Sequence, residues 1–247
     1  MKCVVLAAGY ATRLYPLTEN FPKPLLEVQG KTILDWVIED LDSLGKISEF
    51  VVVSNHKFIE HFETWARKVK YRAKLTVLDD GTTDNENRLG AVRDIAFAIK
   101  ELNIQEDLVI IAGDNLTDFS LNGFVSYFES KNGSCIMRYY EKDMNRLKRT
   151  GVISIDEAEK VLEMQEKPVE PKSHWAVPPF YIYKRDDVRK IIQAVDEKKC
   201  HVDAPGDFLA WLSGETDVYA YEMPGNRYDI GNLESYEKIQ KEYKGMK

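Results

Sequence analysis

The chain has 247 residues, of which 44% are apolar and 30% charged, and its formal net charge is −7. That apolar share supports a substantial core and excludes a disordered polyelectrolyte, while the length allows one large domain or two small ones. The acidic excess is spread along the chain, which argues against nucleic acid or an anionic membrane as partner, and no run approaches the ~18 apolar residues of a membrane span.

Residues 3–7 (CVVLA) are apolar and β-rich, which predicts a short buried parallel strand. Thr32 is placed to cap a helix carrying Ile33, Leu34, Val37, Ile38, Leu41 and Leu44 at helical spacing, with Gly45 to end it. A strand over 50–54, a helix with Ile59, Phe62, Ala66 and Val69, and a strand over 74–78 follow. The polar loop LDDGTTDNENRLG leads to a helix with Val92, Ile95, Ala96 and Ile99, then to a strand over 108–112. This alternation predicts an α/β fold with a Rossmann-like, mainly parallel mixed sheet flanked by helices. The second half reads as a smaller α+β portion. Its expected strands lie at 134–140, 151–155, 160–165, 175–183 and 217–222, and its helices at 186–196, 206–213 and 233–243.

The strongest local feature follows the first strand: LAAGYATRLYPLTENFPKPLLEVQGKTIL. The small residues Ala7, Ala8 and Gly9 form a turn, and Gly9 lets backbone N–H groups approach a ligand. Arg13 and Lys23 put two cations near the carboxyl end of the strand, where open α/β sheets bind ligands. Pro22 and Pro24 restrict the backbone around Lys23. The spacing is not that of a P-loop. On these residues alone, a tight turn with surface cations is an equal reading.

From Leu6 to Leu26 the segment resembles the signature of the sugar-1-phosphate nucleotidylyltransferases, also called nucleoside-diphosphate-sugar pyrophosphorylases, and most nearly the glucose-1-phosphate thymidylyltransferases and their relatives. The resemblance continues through Gly113-Asp114-Asn115, Gly151-Val152, Glu166-Lys167-Pro168 and Tyr228-Asp229-Ile230-Gly231. It implies one domain over 1–247, with a nucleotide-binding part over about 1–118 and an acceptor-binding part over about 119–247. It implies magnesium-dependent transfer of a nucleotidyl group from a nucleoside triphosphate to a sugar 1-phosphate, with release of pyrophosphate. Such a reaction brings two anions together, so positioning and electrostatic stabilisation carry it.

By resemblance, Arg13, Lys23 and Asp114 are catalytic, and Asp114 and Asp229 hold the metal. Leu6, Ala7, Ala8, Gly9, Tyr10, Ala11 and Thr12 line the nucleotide with Arg13 and Lys23. Asp80, Thr82, Thr83, Asn87, Gly90 and Ala91 stand where the base is met. Asn115, Gly151, Glu166, Lys167, Pro179 and Tyr181 stand on the acceptor side. Alone, Asp114 could cap a turn, Asp229 could pair with Arg227, and Glu166-Lys167 could be an exposed strand end.

Three departures qualify the resemblance. Ala11 replaces a glycine common in the signature. The loop 79–92 is longer and more polar than the glutamine-bearing segment of the thymidylyl enzymes, and its carboxylates suit a base that presents an amino group. Pro178-Pro179 stands where Thr-Gly is common, and 200–207 lacks the expected sugar-binding pattern, which suggests an acceptor other than ordinary glucose 1-phosphate. The same chemistry on a phospho-alcohol such as phosphocholine is the nearest alternative. A glycosyltransferase would need an Asp-x-Asp that Gly113-Asp114-Asn115 lacks, and an inactive regulatory homologue would have lost Arg13, Lys23 or Asp114. Few residues follow the last helix, so no β-helix or acyltransferase tail is expected. Cys3, Cys135 and Cys200 read as free thiols in a reducing cytoplasm, and a homo-oligomer is expected by analogy.

Overall fold

The computed structural model describes residues 1–246. In chain order its elements are β1 (Lys2–Leu6), β2 (Glu27–Val28), β3 (Lys31–Thr32), α1 (Ile33–Ser43), β4 (Glu49–Ser54), α2 (Ile59–Ala66), β5 (Lys74–Asp79) and α3 (Ala91–Glu101). There follow β6 (Leu108–Ala112), β7 (Asn115–Thr117), α4 (Asn122–Ser130), β8 (Ser134–Tyr140), α5 (Met144–Leu147), β9 (Gly151–Ile155) and β10 (Val161–Glu166). The last are β11 (Trp175–Val177), β12 (Phe180–Tyr183), α6 (Arg185–Asp196), α7 (Pro205–Leu212), β13 (Val218–Glu222), β14 (Arg227–Asp229) and α8 (Leu233–Glu242).

These elements group into two compact units, each built from separate stretches of chain. The first takes Met1–Arg88, Ala112–Asn122 and the chain from Pro224 onward; the second takes Leu89–Ile111 and Gly123–Met223.

In the first unit β1, β4 and β5 run parallel, with Val4 opposite Val51 and Val52 opposite Val77. All six residues of β4 are buried, as expected for a strand covered on both faces. Thr32 caps α1, its hydroxyl accepting the Asp35 N–H at 3.0 Å, and Ile33, Leu34, Val37, Ile38 and Leu41 form the buried stripe. Glu49 ties the three strands at one end, with Lys2 at 2.7 Å and Lys74 at 2.8 Å. A short antiparallel ribbon joins β7 to β14, with Asn115 opposite Asp229. Beneath it lies a cluster of Leu14, Leu26, Val28, Ile33, Leu116, Ile230, Ile239 and Tyr243. Tyr243 is fully buried, donates to the Thr117 carbonyl at 2.9 Å, and meets Trp36 and Tyr228 edge-on.

In the second unit the pairing is mostly antiparallel: β10 with β9, β9 with β11, β11 with β8, and β8 with β12. β12 also pairs antiparallel with β6, and β13 runs parallel to β8. The single strand expected over 175–183 is two strands. Pro178 and Pro179 donate no N–H, so the ladder breaks there. The register on β8 then slips: Ala176 faces Tyr139, whereas Tyr181 faces Ile136. The expected mixed α/β sheet is present, with the parallel trio β1, β4 and β5 in the first unit and the parallel pair β8 and β13 in the second.

Candidate active site

β1 ends at Leu6, and the chain turns through Ala7, Ala8 and Gly9. Two bonds hold this turn. The Ala7 N–H donates to the Val53 carbonyl at 2.9 Å, and the fully buried Asn55 donates its amide to the Ala8 carbonyl, also at 2.9 Å. A Cβ added at Gly9 would meet nothing within 4 Å, so the backbone faces open space there. Tyr10 is buried, and Ala11 is left-handed at φ 46°, which a glycine would adopt without strain. Thr12 and Arg13 are exposed in the 3₁₀ turn Thr12–Leu14.

In the second turn, Lys23–Leu25, all three residues are buried. The Lys23 side chain is 8% exposed, and its ammonium lies 2.7 Å from Asp114 Oδ2 and 3.8 Å from Asp229 Oδ1. Gly113 allows this approach. Its N–H donates to the Leu6 carbonyl, and a Cβ there would sit 3.2 Å from Val5 and 3.4 Å from Pro24. Burial pushes the Asp114 carboxyl up, but the Lys23 ammonium and then Arg227 outweigh it and hold the group below the usual carboxylate range. Asn115 is 2% exposed, and its amide is spent on Asp114 Oδ1 at 2.7 Å and on Arg227. Asp229 is exposed at the end of β14. Gly9, Lys23, Asp114 and Asp229 therefore stand in one unit, around one buried ammonium and one open turn.

The loop after β5 closes on itself. Asp80 Oδ1 accepts the N–H and hydroxyl of Thr82, both at 2.7 Å, and the Thr82 hydroxyl lies 3.3 Å from Tyr10 Oη. Asp80 Oδ2 is buried without a hydrogen-bond partner, and burial pushes that carboxyl up. Asn87 Oδ1 accepts the Thr83 N–H, and Asn87 Nδ2 donates to the Thr83 hydroxyl. His56 bonds Asp79 at 2.6 Å, and its N–H donates to the Thr82 carbonyl.

The remaining expected residues belong to the second unit. Gly90 has φ 92°, and a Cβ there would lie 2.4 Å from the Val202 carbonyl oxygen, so packing inside this unit already requires glycine. The N–H groups of Ala91 and Val92 donate to the carbonyls of Asp203 and Val202. The segment 200–207 thus closes the start of α3. Glu166 stands opposite Gly151 in the β10–β9 ladder. A Cβ at Gly151 or Gly206 would lie 3.1 or 2.0 Å from Glu166 Oε2. Burial, opposed by Lys167 and assisted by Asp207 and Asp203, pushes the Glu166 carboxyl up to about 7. Lys167 is exposed and left-handed, its N–H donating to the Thr150 carbonyl. Pro179 is partly exposed, and Tyr181 is 3% exposed and stacks on Tyr183.

Two residues had escaped the sequence reading. Asn55 follows a strand directly, a position that could have marked it as a buried clasp for the neighbouring turn. Arg227, considered only as a partner for Asp229, bonds Asn115. Among the described residues no group of three or more His, Cys, Asp or Glu side chains converges as for a metal, and no helix is long and apolar enough to cross a membrane.

A family model described as nucleotidyl transferase matches residues 2–245. The chain is 28% identical over 244 residues to the UTP–glucose-1-phosphate uridylyltransferase of Haloferax volcanii, covering 97% of this chain and 95% of that protein. It is 27% identical to a protein of Sulfolobus acidocaldarius assigned as a mannose-1-phosphate guanyltransferase, over 100% of this chain and 64% of that one. It is also 27% identical to the glucose-1-phosphate adenylyltransferase of Fervidobacterium nodosum, over 94% of this chain and 59% of that one. The chain therefore spans less than two thirds of the length of the last two relatives. Among solved structures, UDP-glucose pyrophosphorylase complexed with UDP-glucose superposes with a TM-score of 0.80 at 21% identity, covering 97% of this chain and 96% of that one. A Bacillus anthracis protein assigned as a glucose-1-phosphate thymidylyltransferase, in complex with a sucrose, gives 0.81 at 22%, covering 97% and 94%. At these identities the likeness establishes the fold.

Proposed function

This chain belongs to the nucleotidyl transferase family, and on that premise we propose that it couples a nucleoside triphosphate to a sugar 1-phosphate. An oxygen of the sugar phosphate attacks the α-phosphorus in line. The bond from that phosphorus to the oxygen bridging to the β-phosphorus breaks, and pyrophosphate leaves with that oxygen. The products are a nucleoside-diphosphate sugar and pyrophosphate.

The observation that carries this reading is the Lys23 ammonium, buried and held between Asp114 and Asp229. A fixed cation beside an open glycine turn suits charge that develops on a leaving pyrophosphate, because its orientation is set before reaction. Arg13 stands on the same segment and supplies a second cation for the triphosphate. Asp114 and Asp229 offer two hard oxygen donors around that one ammonium. That set fits magnesium, which takes few carboxylates and leaves its other positions to water and phosphate. Magnesium held there would neutralise phosphate charge; Lys23 and Asn115 keep the Asp114 carboxylate ionised and oriented.

In the second unit Glu166, Gly151 and Lys167 are the acceptor-side candidates. The relatives named above carry uridylyl, guanylyl and adenylyl names but share a sugar-1-phosphate acceptor. That shared acceptor supports sugar over a phospho-alcohol. The test crosses ATP, CTP, GTP, UTP and dTTP with a panel of hexose 1-phosphates and phosphocholine, with magnesium, and reads pyrophosphate release. One triphosphate is expected to release pyrophosphate with a hexose 1-phosphate. Release with phosphocholine alone, or with no acceptor in the panel, overturns the proposal.

A further inference from the structure

We propose that Arg227 is a positioning residue, which acts through the Asn115 amide to set how the Asp114 carboxylate is presented. The inference rests on the nucleotidyl-transfer reading, since it assigns Asp114 a part in that site.

The geometry runs through three side chains. Arg227 Nη1 donates to Asn115 Oδ1, Asn115 Nδ2 donates to Asp114 Oδ1 at 2.7 Å, and Asp114 Oδ2 receives the Lys23 ammonium at 2.7 Å. Asn115 is 2% exposed, so water cannot readily replace either of its bonds. An amide has an acceptor end and a donor end, whereas a guanidinium only donates and a carboxylate only accepts. With Arg227 present, one orientation of Asn115 satisfies both neighbours. The reverse orientation sets N–H against N–H and oxygen against carboxylate oxygen. Arg227 therefore selects the orientation that hands Asp114 a hydrogen bond.

The ribbon explains why this residue can do so. Asn115 faces Asp229 directly across the β7–β14 pair, and Arg227 stands two residues before Asp229 on the same strand. Side chains two apart share a face of a strand. One three-residue strand thus delivers the second carboxylate and also the residue that orients the first. Lys23, Asp114, Asn115, Arg227 and Asp229 form a closed circuit, joined by bonds or by the β14 backbone.

The proposal separates from general structural support by experiment. Arg227→Met keeps an unbranched apolar stem and removes the donors. Arg227→Lys keeps the charge without the planar fork. Asn115→Leu removes the relay. In the unliganded protein, the Asn115 side-chain amide protons are followed by NMR for shift and exchange. Manganese affinity is followed by EPR, and kcat and KM by pyrophosphate release. In Arg227→Met the Asn115 amide protons are expected to shift and exchange faster. Manganese affinity and kcat should fall about 10- to 100-fold, as for other partners that orient metal-binding carboxylates. KM for the triphosphate should stay within about threefold, because the binding contacts are kept. Arg227→Lys should recover part of the loss, and adding Arg227→Met to Asn115→Leu should cost little more. Unchanged Asn115 amide protons in Arg227→Met, or additive losses in the double variant, overturn the relay. If the wild type transfers no nucleotidyl group, the functional reading fails, and the amide protons still judge the relay by themselves.

Discussion

On the proposed reading, Lys23 is the residue on which the donor side turns. It is flanked by Pro22 and Pro24, and its ammonium is almost withdrawn from solvent. Replacing it with alanine removes the cation and leaves Asp114 with a partly buried, unneutralised carboxyl. A donor preset for developing charge contributes about 10²–10³ in kcat, so Lys23→Ala should fall by at least that, read by steady-state pyrophosphate release. The protein should still fold, with a loss of about 1–3 kcal/mol in a urea titration. Turnover near the wild-type rate would remove Lys23 from the mechanism.

Ala11 makes a smaller, opposite case. Its left-handed φ of 46° costs about 1–2 kcal/mol for a residue with a Cβ. Glycine returns about 0.5–1 kcal/mol of that through the entropy of the unfolded chain. Ala11→Gly should therefore stabilise the protein by up to about 1 kcal/mol, seen as a higher urea midpoint with an unchanged slope. A lower midpoint would show that the strain is absent. At this scale the family was legible, because Leu6 to Leu26 is a long compound pattern. The roles of Asn115 and Arg227 were not, since one residue's partner lies on a strand far along the chain.

At the scale of elements, helices read well where an apolar stripe and a cap agree, as in α1. Strands β7 and β14 did not read. Each has three residues and pairs only with the other, so neither shows an alternation long enough to detect. Helix α4 was missed as well; its first turn contains Gly123, a weak helix former. The Pro178-Pro179 pair was legible as a lost pair of donors, but the register slip it imposes on β8 was not.

The end of the parallel strands offers a pH test. Burial would raise the Glu49 carboxyl, but hydrogen bonds from Lys2, Lys74 and Thr76 overcome it and hold the group at about 2, below its ordinary 4.5. The unfolded chain therefore takes up this proton first as pH falls. The stabilisation is full above pH 4.5 and is lost as pH drops toward about 2. Glu49→Gln should flatten the acid limb of the stability curve over that window, by a few kcal/mol in denaturant titrations at each pH. An acid limb as steep as the wild type's would assign the loss to other carboxylates.

At the scale of the molecule, composition and alternation made the α/β class legible, and the comparisons share that fold. The path of the chain between two compact units was not legible. Local patterns cannot report that Pro224 onward returns to the unit in which Met1 begins. Cys3 and Cys135 are buried free thiols, and burial pushes Cys135 up to about 12, where it is inert.

That return has a consequence in time. Lys23 is made well before Asp229 and before Tyr243, which seals the cluster beneath the ribbon. A ribosome adds about 5–20 residues per second. Through nearly all of that interval Lys23 is present without its second carboxylate, and the floor of its unit is unfinished. The long stretch Gly123–Met223 has meanwhile emerged as one piece. On the proposed reading, the nascent chain lacks its second carboxylate until β14 arrives, and a proteolytic cut between Met223 and β14 would sever the chain link between Lys23 and that carboxylate.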